Sequence, residues 1–73
     1  MKNLTNKNML IYNTIKKYIE IYGYSPSVRD ICNIVKINSP ASVHRHLKRL
    51  KEFGYITFTE NKSRTIRILK SGV

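Results

Sequence analysis

The stretch from Ser27 to Leu50, SVRDICNIVKINSPASVHRHLKRL, decides the fold. It contains two helix starts. Ser27-Val28-Arg29-Asp30 is a Ser-x-x-acid capping pattern, and Pro26 before it blocks continuation from upstream. Val28, Ile31, Cys32 and Val35 then fall on one face, which predicts a short helix over residues 28–35. Ser39-Pro40 is a second start, a capping serine followed by proline at the first helical position. Val43, Leu47 and Leu50 share the apolar face of that helix, residues 40–52, with His46 and Phe53 at its edge. At about 100° per residue, Ala41, His44, Arg45 and Lys48 point the other way. Two short helices joined by Lys36 to Ser39 make a helix-turn-helix.

Upstream, Thr5 is positioned to cap a helix over residues 6–22, with Leu4 packing back as a staple. Ile11, Ile15, Tyr18, Ile19 and Tyr22 share one face of it, and Gly23 supplies a left-handed stop. At this spacing the tyrosines read as core residues with their hydroxyls at the rim. Downstream of Gly54 the apolar period changes to alternation. Residues 55–59 and 65–69 predict two strands, with Ile56 and Phe58 on one side of the first and Ile66 and Ile68 inward on the second. Glu60 to Arg64 form a polar loop between them, so the hairpin must lean on the helices for stability. The expected class is α+β: a single domain over residues 1–73, with three helices and a two-stranded wing, and no catalytic domain.

The 73 residues carry 14 Lys and Arg against 4 Asp and Glu, a net charge of +10. Nine of those cations lie between Lys36 and Lys70, opposed only by Glu52 and Glu60. Such a balance points to a polyanion, because cations that displace condensed counterions gain free energy. The single cysteine, Cys32, excludes an intramolecular disulfide and a thiolate zinc cage, and reads as a small core residue. His44 and His46 are two apart on a helix, where their rings diverge, so no metal or other cofactor is expected. The four acids are scattered and no serine has a base partner, which argues against an enzyme. No apolar run reaches the roughly 20 residues of a membrane span and no signal peptide opens the chain, so a cytoplasmic protein without membrane contact is expected.

The major groove of DNA is about 12 Å wide and admits one α-helix, entered by its amino-terminal turns. The residues offered there are Ser39, Ala41, Ser42, His44 and Arg45. Serine and histidine exchange hydrogen bonds with base edges, alanine touches a thymine methyl, and arginine pairs with guanine O6 and N7. Lys48, Arg49 and Lys51 lie farther along and suit phosphates, as do Lys62 and Arg64 on the wing. Double-stranded DNA is therefore the expected partner. The same surface leaves two alternatives. One is a small phage- or plasmid-type module acting through protein contacts as an anti-repressor, and the other is an RNA binder.

Leu4-Thr5, Gly23-Tyr24-Ser25-Pro26-Ser27-Val28-Arg29-Asp30-Ile31, Ser39-Pro40-Ala41-Ser42-Val43-His44-Arg45-His46-Leu47, Leu50, Gly54-Tyr55-Ile56 and Arg64-x-Ile66-x-Ile68 resemble the amino-terminal DNA-binding domain of the LexA repressor family, in its Gram-positive branch. The resemblance runs from Leu4 to about Leu69. It implies a winged helix-turn-helix and repression of DNA-damage (SOS) genes through palindromic operators. It places base reading on Ser39, Ala41, Ser42, His44 and Arg45, and backbone contact around Ser27, Arg29 and Arg64. Family members continue into a self-cleaving second domain that also supplies most of their dimerisation. A homodimer on DNA is thus an expectation that these residues alone do not supply. The family usually has glycine where this chain has Lys36, so a lysine held left-handed there would cost on the order of 1 kcal/mol.

Overall fold

In the computed structural model, which describes residues 4–69, three helices precede a short antiparallel hairpin: α1 (Asn6–Tyr22), α2 (Val28–Val35), α3 (Pro40–Glu52), β1 (Ile56–Thr57) and β2 (Arg67–Ile68). Lys2, Lys70 and the Ser71-Gly72-Val73 tail lie outside the described residues.

The helix starts are chemical. The Thr5 hydroxyl accepts from the Asn8 amide while the Asn8 side chain accepts from the Thr5 amide. Ser27 and Asp30 make the same reciprocal pair at α2, and Ser39 accepts from the Ser42 amide at α3. Each cap satisfies donors that a helix leaves without internal partners. The stops are equally local. Gly23 ends α1 at φ 80°, and Gly54 follows α3 at φ 82° with Tyr55 N–H on the Leu50 carbonyl. Lys36 ends α2 at φ 59°, ψ 42°, in the left-handed region. The amide of Ile37 closes the turn on the Cys32 carbonyl at 3.1 Å, and both side chains pack against the core.

One cluster holds the elements together. Ile11 and Ile15 of α1, Ile31 of α2, Val43, Leu47 and Leu50 of α3, Ile56 of β1 and Ile66 are all buried, with Leu4 and half-buried Cys32 packed around them. Burying each such side chain is worth about 1.5–3 kcal/mol. One buried polar group joins the two longer helices: Asn8 Nδ2 meets His46 Nδ1 at 2.7 Å.

Two expectations change. The strands are shorter than 55–59 and 65–69, because side chains take the backbone donors that a longer ladder would use. Thr59 N–H donates to Thr65 Oγ1 at 2.9 Å, and Ile66 N–H crosses to Ser25 Oγ at 3.0 Å. Among the described residues only Ile56–Ile68 and Thr57–Arg67 pair as strands, with one more bond from Leu69 N–H to the Tyr55 carbonyl. Tyr22 is not core: at the end of α1 it is 56% exposed, and Tyr24 beyond the Gly23 stop is 51% exposed. With Tyr18 they form an aromatic cluster at centroid distances of 4.5–6.1 Å.

Candidate nucleic-acid interface

Because Val43, Leu47 and Leu50 anchor α3 in the core, its opposite face is fixed toward solvent. Ser39, Ala41, Arg45 and Lys48 are exposed, and Ser42 and His44 are half-buried at the two sides. Arg45 has no salt bridge among the described residues, so its guanidinium is available to a ligand. The five residues expected to read bases thus gather at the amino-terminal end of α3, with Ser39 at the cap, Ala41 and Arg45 outward, and Ser42 and His44 at the two sides. Lys48 continues the outward sector. Arg49 borders it, loosely paired with Glu52 at 3.9 Å on the exposed surface and lying over the Phe53 ring.

The wing leans toward this helix without covering it. His44 Nε2 lies 3.3 Å from Glu60 Oε1, and its ring meets Phe58 edge-on at 5.8 Å. Behind this contact a groove of about 410 Å³ opens between the first turn of α2, His44 and the loop around Lys62. Ser27 caps α2 at its edge, and Arg29 and Lys62 are exposed beside it. The free N–H groups of that first turn carry the positive end of the helix dipole.

Two cations expected on phosphate have partners within the fold. Lys51 Nζ donates to the Phe58 carbonyl at 2.9 Å and lies 4.6 Å from the Phe58 ring centroid. The reason is angular: Lys51 projects to the hairpin side of α3. Arg64 turns back from the wing onto α2. Its Nη1 lies 3.0 Å from Asp30 Oδ2 and donates to the Ser25 carbonyl at 3.2 Å, while the guanidinium sits over Tyr24. The Ser27 amide above all, then the Tyr18 hydroxyl, the Ser27 side chain and the Arg64 charge, hold the Asp30 carboxyl below its ordinary range against opposing desolvation. Sequence gave no sign of these partners. Asp30 read as a cap, which it is, and Arg64 and Ser25 are 39 residues apart.

His46 sits on the other flank, toward α1. Burial first, and then the charges of Lys7 and Arg45, push its pKa down, so it stands neutral beside Asn8. No three His, Cys, Asp or Glu side chains gather as metal ligands among the described residues. No helix among them is long and apolar enough to cross a membrane.

Residues 1–65 match the family described as LexA DNA binding domain. The chain is 41% identical over 71 residues to the LexA repressor of Desulfatibacillum aliphaticivorans, covering 97% of this chain and 35% of that protein. It is 46% identical over 68 residues to the LexA repressor of Clostridium tetani, covering 93% and 34%. It is 45% identical over 69 residues to that of Staphylococcus aureus strain N315, covering 94% and 33%. The chain therefore spans about a third of the length of these relatives.

Proposed function

This chain belongs to the LexA DNA-binding domain family, and from that premise we propose that it represses transcription by laying α3 in the major groove of an operator. The observation that carries the reading is the exposed, basic sector of α3, free of the wing except at His44. Arg45 reads guanine through O6 and N7. His44 and Ser42 exchange hydrogen bonds with base edges, Ala41 meets a thymine methyl, and Ser39 contacts the groove entrance. Lys48 and Arg49 along the helix, Ser27 and Arg29 at the start of α2, and Lys62 on the wing hold phosphates and fix register.

A single module of this size buries a modest interface. Two copies on a palindrome, coupled to each other, gain about 10²–10⁴ in apparent affinity over one copy. The proposed target is therefore a palindromic operator of DNA-damage genes, occupied by paired copies in a bacterial cytoplasm. The test is selection of bound duplexes from a randomised pool, then titration of the selected duplex against a scrambled one. Arg45→Ala and His44→Ala should each reduce discrimination by about 10-fold or more, within the range of one lost base contact. If both discriminate like the parent, α3 is not the reader.

A further inference from the structure

Arg64 is held in a way that a phosphate-seeking wing residue need not be. Its backbone is left-handed, at φ 58°, a conformation disfavoured for any residue with a Cβ. Its guanidinium reaches back over four residues of the helical body: Asp30 at 3.0 Å, the Ser25 carbonyl at 3.2 Å, the Tyr18 hydroxyl at 3.5 Å, and the Tyr24 ring, 5.4 Å to its centroid. Backbone conformations of this kind persist where surrounding contacts over-determine them. The Asp30 oxygen that receives Arg64, Oδ2, also accepts from the Ser27 amide and the Tyr18 hydroxyl, both at 3.1 Å. Two residues beyond Arg64, the Ile66 amide bonds the Ser25 hydroxyl at 3.0 Å. The strand ladder is too short to orient the loop alone, so these contacts set where the loop lies relative to α2 and α3.

We propose that Arg64 is a positioning residue for DNA binding: it latches the wing to the cap of α2 and neutralises Asp30 beside the phosphate path, without itself holding a phosphate. The proposal rests on the DNA-binding reading above. It separates sharply from the alternative of a direct phosphate contact. A phosphate is served almost as well by lysine as a point charge, whereas the planar fork stacked on Tyr24 is not.

The test uses the whole chain, with Arg64→Lys, Arg64→Ala, Asp30→Asn and the Asp30→Asn/Arg64→Ala double variant. Each is titrated with a selected duplex across a salt series, and Ile66 amide exchange is followed in the free protein. Thermal melts check folding, and should Arg64→Ala fail to fold, Arg64→Lys with Asp30→Asn makes the same comparison. The latch predicts that Arg64→Lys and Asp30→Asn each weaken binding by about 3- to 10-fold, with an unchanged salt slope. It also predicts a double variant no weaker than either single one and faster Ile66 exchange in all. Near-parental binding by Arg64→Lys, tighter binding by Asp30→Asn, or a salt slope lowered by about 1 in Arg64→Ala would overturn it. If the parent chain shows no preference for duplex, the DNA reading fails instead. Unchanged Ile66 exchange in the variants would refute the latch itself.

Discussion

Replacing Lys36 by glycine should make the protein more stable, although it removes a side chain and adds no contact. Lys36 is exposed and stands at φ 59°, ψ 42°, where its Cβ crowds the following carbonyl. That conformation costs an L-residue about 1–2 kcal/mol relative to glycine. Glycine gives back about 0.4–1 kcal/mol, because the unfolded chain gains freedom. The net expectation is a stabilisation of about 0.5–1 kcal/mol. In a domain of this size that raises the melting temperature by about 2–8 °C. Lys36→Ala is the control, since it removes the same charge and stem but keeps the Cβ. Lys36→Asn should fall between them, because asparagine tolerates the left-handed region better than most residues. The assay is thermal and urea unfolding followed by circular dichroism, all four proteins side by side. A glycine variant no more stable than the alanine variant would show that the bend after α2 carries no such strain.

Glu60→Gln removes the acid that faces His44 and one of few negative charges near the proposed phosphate path. Binding to all duplexes should tighten by about 2- to 5-fold, measured by fluorescence anisotropy at low salt; weaker binding would mean that Glu60 is needed to orient His44. Acid sensitivity should come in two windows. His46 is held below its ordinary pKa, so the unfolded chain binds its proton more readily; its neutral form supports the fold above about pH 6.5, and that support drains away as pH falls through the histidine range. A His46→Gln variant should lose this slope in melts between pH 8 and 5, and an unchanged slope would refute the assignment. Asp30, whose folded pKa is depressed, contributes above about pH 3.9 and loses that contribution as pH falls through the lower folded value.

The helices were legible because each is signalled by neighbours. Thr5, Ser27 and Ser39 cap within three residues of themselves, and the apolar spacing of Ile11, Ile15, Val43, Leu47 and Leu50 aims each helix at the core. The outward sector of α3 followed from the same spacing. The wing was legible only in outline. Its strand lengths depend on Ser25 and Thr65 capturing main-chain amides, and no local pattern announces that a buried serine will meet Ile66 41 residues later. For the same reason the partners of the exposed cations Lys51 and Arg64 went unseen: charge is visible along a sequence, while the group that claims a side chain is not. Tyr22 alone of the α1 tyrosines misled by periodicity: the apolar spacing runs to the end of the helix, but Tyr22 itself is left 56% exposed.

The brevity of the β1–β2 ladder has a consequence for how the domain tolerates change. Main-chain register is fixed at one end of the hairpin only, so residues 58–66 answer to side-chain partners and not to a cross-strand pattern. Inserting or deleting residues around Asn61 and Lys62 breaks only local bonds, from the Lys62 amide to the Thr59 carbonyl and from the Thr65 hydroxyl to the Lys62 carbonyl, and leaves the helix packing untouched. Doubling such a segment adds only about 0.6 kcal/mol of closure entropy. Length and cationic content of this loop can therefore change while the three helices keep their packing.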